Sequence, residues 1–311
     1  MHVLITGSSG QIGTNLATML ARRGHTVEGI DKRKNTWTDE INDSILDLIE
    51  VTHGLKKLEP EQKPDVVVHL AAHAKVFELV ENPTRALENI EMLFGVLEYC
   101  RRNEVPIIFA SSREVYGDIQ RWITDETVAD FVVAESPYSA SKISGEAMIY
   151  SYFQCYKLPH LVFRFSNVYG RYDCDLHRME RVIPLFIDRI AHEQPIKVFG
   201  RHKVLDFTFV DDCVDGIISG IEKVVRGEIT NETINLAYGH GSSLEDLVNI
   251  IGLALQKEPR AEYLPSRSGE VTRYVADINK ARNLLNYSPD TPLSAGLGRA
   301  IKWQREIGVL K

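Results

Sequence analysis

The feature that most constrains the fold is a glycine turn near the start of the chain. Gly7-Ser-Ser-Gly10-Gln-Ile-Gly13 stands between a short apolar run, Val3 to Ile5, and a helical pattern carrying Ile12, Leu16, Met19 and Leu20 on one face. A strand, a glycine turn and a helix in that order place backbone N–H groups and a helix N-terminus where a pyrophosphate can bind. The spacing is G-x-x-G-x-x-G, and no Gly-Lys-Ser/Thr ending follows, so a P-loop kinase is disfavoured. The next apolar run, Val27 to Ile30, ends in Asp31, 18 residues beyond Gly13. A carboxylate there can accept hydrogen bonds from the adenosine ribose hydroxyls and repels a 2′-phosphate, which favours NAD over NADP. Lys32 and Arg33 follow directly and soften that preference.

Asp65 to Leu70 and Pro106 to Ala110 are continuous apolar runs of the kind buried on both faces of a parallel sheet, and Leu161 to Phe165 is a further strand. Ile90, Leu93, Phe94 and Leu97 repeat at helical spacing between the first two. This alternation predicts an α/β fold, a Rossmann-like doubly wound parallel sheet with a smaller α/β substrate-binding domain. Beyond about residue 170 the pattern loosens. Short strands are expected at Ile196 to Phe199 and Thr208 to Val210, and helices at Cys213 to Val225, Leu244 to Leu255 and Leu293 to Arg305. We divide the chain into an NAD-binding part, 1–170, with parts of 205–240 returning to it, and a part, 171–311, mainly for the second ligand.

With 36 Lys plus Arg against 43 Asp plus Glu and a net charge of −7, the chain disfavours a nucleic-acid polymer as ligand. There is no apolar run of about 18 residues to span a membrane. The first residues lack the basic start and long apolar stretch of a signal peptide. Four scattered cysteines suit a reducing compartment, and the expected location is cytoplasmic. No metal site is expected: His177 with Asp173 and Asp175 lacks a second ligand group at fixed spacing. His69 and His73 read as packed neighbours of the strand end.

Tyr138-Ser-Ala-Ser-Lys142 opens a helical stretch, so Tyr138 and Lys142 lie one turn apart on the same face. The Pro106 to Ala110 strand delivers Ser111, Ser112, Arg113 and Glu114 at its carboxyl end, the edge where open α/β sheets place ligands. A phenol that acts as a base near neutrality needs its pKa lowered by ~3 units, or ~4 kcal/mol. An ammonium ~4 Å away supplies an interaction of that order. The expectation is therefore that Lys142 acidifies Tyr138 while Ser112 holds the hydroxyl that loses its proton. Glu114 has two readings: an acid or base in the site, or an outward residue that pairs with Arg113 in a solvated loop.

These residues, with His69-Leu-Ala-Ala72, Asn89, Arg164-Phe-Ser-Asn167-Val-Tyr-Gly170, Asp206 to Asp212 and Arg267-Ser-Gly-Glu-Val271, carry a resemblance. The chain resembles the extended short-chain dehydrogenase/reductase family, specifically its NAD-dependent nucleotide-sugar epimerases and dehydratases, over nearly its whole length. The resemblance implies a tightly held NAD that takes a hydride from C4 of a sugar and returns it. The UDP-hexose class is the expected substrate, worked through a transient 4-keto form. It implies Tyr138 as base, Lys142 also on the nicotinamide ribose, and Ser112 on the C4 hydroxyl. Gly7, Gly10, Gln11, Ile12, Gly13, Asp31, Lys32, Asp47, Leu48, Leu70, Ala71, Ala72, Asn89, Ala110, Phe165 and Val168 would hold the cofactor, with Asp47 and Leu48 on the adenine side. Asn167, Val182, Phe199 and Arg267 would meet the nucleotide sugar, and a helix pair would form a homodimer. Leu205 stands where many relatives have an arginine, leaving Lys203 or Arg201 as replacements. Glu114 is similar to the acid or base of the sugar dehydratases and decarboxylases, which makes that reaction class the first alternative. A non-catalytic NAD-sensing regulator is the second.

Overall fold

In a computed structural model of the chain, the structure describes residues 1–39, 41–117, 125–126, 134–177, 180–267 and 271–310. Ser268, Gly269 and Glu270 of the Arg267–Val271 motif lie outside them. Seven strands form one sheet: β1 (His2–Thr6), β2 (Thr26–Asp31), β3 (Asn42–Ile45), β4 (Val66–His69), β5 (Ile107–Ser112), β6 (His160–Phe165) and β10 (Glu232–Leu236). Their order is β10-β6-β5-β4-β1-β2-β3, and every neighbouring pair is parallel. This is the doubly wound order, and it reverses between β1 and β4, where the glycine turn lies. The central strands are buried over most of their length. Val66 to Val68 are fully inaccessible, as the apolar runs predicted for a sheet covered on both faces.

Helices α1 (Gln11–Arg22) and α7 (Val210–Val225) cover one face, and α2 (Leu48–Thr52), α4 (Thr84–Asn103) and α5 (Pro137–Tyr156) the other. The short α3 (Val76–Glu81) packs beside α4 and α5. After β6 the chain leaves this sheet. β7 (Asn167–Tyr169), β9 (Val204–Phe209) and β11 (Gly241–Ser243) form a three-stranded sheet, and β8 (Ile196–Phe199) pairs with β12 (Ala261–Leu264). With α6 (Val182–Ala191), α8 (Leu244–Leu255) and α10 (Leu293–Glu306), these elements enclose a second apolar core that includes Ile187, Phe207, Leu247 and Leu297. The helix α9 (Asn279–Leu285) returns to α7 and β10. Among the described residues no helix is long and apolar enough to cross a membrane.

Two expected boundaries shift. The strand expected over Thr208 to Val210 begins four residues earlier, at Val204, and Val210 already belongs to α7. Asp206 sits fully buried in that strand because its carboxylate accepts the N–H groups of Tyr238, Gly239 and Ala276.

Candidate active site

A cleft of about 350 Å³ runs along the carboxyl ends of the parallel strands. One end is the glycine turn, where Gly7, Gly10, Gln11, Ile12 and Gly13 line the wall. Gly7 has φ +77°, the left-handed region that favours glycine, and a Cβ there would stand 2.7 Å from the Ala71 backbone nitrogen. A Cβ on Gly13 would overlap the Gly7 carbonyl oxygen, so only glycine lets α1 start this close to the turn. The N-terminus of α1 has no side-chain cap and no acid in its first turn. Its amide groups are thereby left for an anion. The Gln11 Nε2 is buried without a partner among the described residues. Asp31 closes β2 beside the turn, its carboxylate accepting the N–H of Ser9 at 3.2 Å and of Arg33 at 3.1 Å. A pyrophosphate cradle with an acid at ribose distance in sequence is the donor set a dinucleotide such as NAD requires, so the residues present fit that cofactor.

The other end of the cleft holds Ser112, Glu114, Tyr138 and Lys142, all at most 8% exposed. Ser112 ends β5 and caps the 3-10 turn Arg113–Tyr116, its Oγ accepting the Glu114 N–H at 3.2 Å. Ser136 caps α5 with a reciprocal pair to Ser139, and Pro137 occupies the first turn, which fixes where Tyr138 and Lys142 start. The Lys142 ammonium donates to the Ala110 carbonyl at 2.8 Å and lies 5.7 Å from the centre of the Tyr138 ring. Tyr138 shares a hydrogen bond with Ser112.

The electrostatics differ from the expectation. Burial pushes the Tyr138 phenol up to about 12, and the Glu114 charge adds to that rise. Ser112, Arg181 and Arg113 pull the other way. Lys142 is itself brought down to about 8 by burial, with Glu146 opposing. The protein alone therefore does not make an acidic phenol through Lys142, because desolvation outweighs the neighbouring charges. Glu114 is also not the solvated loop residue of one reading. It is 4% exposed and its carboxylate pairs with Arg113 at 2.9 Å. Its second oxygen has no partner among the described residues.

Between the two ends, Leu70, Ala72, Ala110, Phe165, Asn167, Val168 and Val182 line the same cleft. Asn167 donates to the Asp206 carbonyl and accepts from Arg113. The remaining expected residues lie off this wall. Ala71 backs the glycine turn, and Lys32 is exposed. Asp47 caps α2 by accepting the Ile49 N–H at 3.0 Å, and Leu48 is core. Asn89 clasps both backbone groups of His73 and reaches Ser141 at 3.2 Å, so it ties the segment after β4 to α5. Arg267 stacks 3.9 Å over the Phe199 ring and 5.1 Å from that of Phe77. Leu205 points into the second core, Lys203 is buried, and Arg201 pairs with Glu245. His69 is packed: it hydrogen-bonds Thr6 at 2.8 Å and stacks on Phe109.

Sequence reasoning did not anticipate Arg181. It lines the cleft just before α6 and reaches Gln11 and Asp173. Nothing in its neighbourhood of sequence marks it, since the contact with Gln11 spans 170 positions.

The model of the NAD dependent epimerase/dehydratase family matches residues 3–237. An uncharacterized UDP-glucose epimerase of Bacillus subtilis is 30% identical over 97% of this chain and 98% of its own. A UDP-glucose 4-epimerase of Thermotoga maritima solved with UDP-glucose superposes with a TM-score of 0.88 at 26% identity, covering 99% of each chain. A UDP-glucuronic acid 4-epimerase of Bacillus cereus, solved with UDP-glucuronic acid and NAD, gives 0.86 at 26%, covering 99% of this chain and all of the other. With a doubly wound sheet, an uncapped glycine-turn helix and the serine, tyrosine and lysine on one cleft, the chain belongs to the NAD dependent epimerase/dehydratase family.

Proposed function

We propose that the protein is a UDP-sugar 4-epimerase of the UDP-hexose class that works through a transient 4-keto sugar. The observation that carries this reading is the continuous cleft, with the pyrophosphate cradle at one end and Ser112, Tyr138 and Lys142 at the other. Gly7, Gly10, Gln11 and Gly13 would hold the cofactor's phosphates, Asp31 its adenosine ribose, and Lys142 its nicotinamide ribose. The chemistry that NAD supplies when bound is reversible hydride acceptance at C4, so the oxidised cofactor is restored in each turnover. Tyr138 takes the proton of the C4 hydroxyl and returns it to the epimeric alkoxide. Ser112 hydrogen-bonds the same oxygen and orients it towards the phenol. Asn167, Val182, Phe199 and Arg267 would bind the nucleotide diphosphate. In this division 1–170, with parts of 205–240, serves the cofactor and 171–311 mainly the nucleotide sugar. A cytoplasmic location and a homodimer complete the reading, the homodimer supported by exposed Leu87 and Phe94 on α4 and Tyr150 on α5.

Incubating the purified protein with UDP-, dTDP- and GDP-sugars, without added nicotinamide, tests the reading. Interconversion of the C4 epimers of a UDP-sugar is expected, and Tyr138→Phe should lower kcat by ~10²-fold or more. No turnover of any member of the panel would return the protein to the NAD-sensing alternative.

The burial of Glu114 beside Tyr138 favours one further reading, a dehydratase or decarboxylase in which Glu114 moves a proton at C5. Solvent deuterium separates the two. The epimerase leaves C5 of the product unlabelled, whereas label at C5 or a stable keto sugar identifies the elimination chemistry.

A further inference from the structure

Behind the serine, tyrosine and lysine lies a charge pair, Arg164 buried and Glu146 half-buried, that neither reading has used. Glu146 stands on α5 one helical turn beyond Lys142. The Arg164 guanidinium on β6 reaches its carboxylate twice, Nε at 3.0 Å and Nη2 at 2.7 Å. The Ser111 hydroxyl, the neighbour of Ser112 on β5, donates to the same carboxylate. The other end of Arg164 donates to the Tyr116 hydroxyl at 3.0 Å, which in turn donates to Asn235 on β10 at 2.9 Å. One pair therefore ties α5 to β5, β6, the 3-10 turn and β10.

We propose that Glu146 is a positioning residue that keeps Lys142 in its ammonium form and in place against the Ala110 carbonyl. The groups facing Lys142 are the Ala110 carbonyl and Phe109 ring from β5, the Tyr138 ring from its own helix, and His69 from β4. His69 is neutral, because burial and the Lys142 charge bring it down to about 3. The Glu146 carboxylate, one turn along the same helix, pulls the lysine upward against the burial that brings it down to about 8. Arg164 fixes where that carboxylate sits and would itself disfavour a second cation if the carboxylate were lost. The inference rests on the reading of Lys142 as part of the reacting group.

The test measures the titration of Lys142 directly, by NMR of 15N-lysine-labelled protein, alongside the alkaline limb of kcat. Glu146→Gln removes the anion and leaves Arg164 uncompensated, so the Lys142 midpoint should fall by about 1 pH unit or more. Arg164→Gln removes the cation and leaves the anion, so the midpoint should move the other way, upward. The alkaline limb should follow the midpoint in each case. If one variant does not fold, the other carries the test with its own sign. A folded variant that is less stable or slower but leaves the midpoint unmoved shows a purely structural pair and overturns the proposal. Midpoints that move in a protein that turns over no nucleotide sugar would uphold this role and sink the proposed reaction. Turnover with unmoved midpoints would do the reverse.

Discussion

Tyr138 is set between two opposing forces, and their balance predicts how the site behaves with and without its cofactor. Burial pushes the phenol up to about 12, so at neutral pH only ~10⁻⁵ of it is ionised in the protein alone. Any positive charge brought into the cleft favours the phenolate. The phenolate absorbance lost in Tyr138→Phe should therefore titrate at lower pH in the NAD-loaded protein than after the cofactor is stripped. An identical midpoint in both forms would remove the electrostatic basis for Tyr138 as base. The residue types were legible only together: the tyrosine and lysine one turn apart carry little weight alone, and the serine delivered at the carboxyl end of a sheet strand supplies the rest. The sequence could not show the sign of the shift, which depends on how completely the fold excludes water. His69 gives a second prediction of the same kind. Its folded value is about 3 against an ordinary 6.5, so between those limits the unfolded chain binds a proton that the native one refuses. Native stability is thus lost as pH falls through this window, by roughly 1.6 kcal/mol between pH 6.5 and 5 from this group. Urea unfolding at the two pH values should show that loss in wild type and a smaller one in His69→Gln.

Elements were legible where one local cause decides them. β4 and β5 announce themselves because a parallel strand covered on both faces is apolar over most of its length, here up to His69 and to Ser111 and Ser112 at the carboxyl ends. α1 is announced by its single apolar face. The edge strands are different: β3, Asn-Asp-Ser-Ile, is largely exposed. β10, Glu-Thr-Ile-Asn-Leu, carries a polar residue at a buried position, since Asn235 is fully inaccessible. Only its partners explain that asparagine: Tyr116 donates to it, and its own amide donates to the Asp277 carbonyl. Such long-range satisfaction leaves no periodic trace. At the glycine turn the reverse holds, and the letters state the constraint directly. Gly13→Ala sets a methyl against the Gly7 carbonyl, and relief requires α1 to move away from the turn. The expected result is a loss of ~1–3 kcal/mol of stability. Most of the bound NAD should also be lost on desalting, read from the ratio of absorbance at 260 and 280 nm. A variant that keeps both its stability and its cofactor would show that α1 need not approach so closely.

For the molecule as a whole, the question is how α10 comes to pack against the segment beside the glycine turn. Trp303 on α10 lies with its ring centre 5.8 Å from that of Trp37, in the segment after Asp31, and 5.3 Å from that of Tyr172. Trp37 and Tyr172 are 5.7 Å apart, and Tyr172 lines the cleft. Asn35 holds the Trp37 segment by accepting the N–H groups of Trp37 and Thr38 while donating to Thr14 on α1. Three rings from distant parts of the chain thus join the second core to the segment that follows Asp31. Nothing in the sequence pairs positions 37, 172 and 303, because none belongs to a periodic face that needs the others. Aromatic pairs of this geometry contribute ~0.5–1.5 kcal/mol beyond the area they bury. A double-mutant cycle with Trp37→Leu and Trp303→Leu should accordingly return a coupling of that size by urea unfolding. Additive effects would mean that the two tryptophans pack independently and that Trp37 does not tie α10 to the seven-stranded sheet.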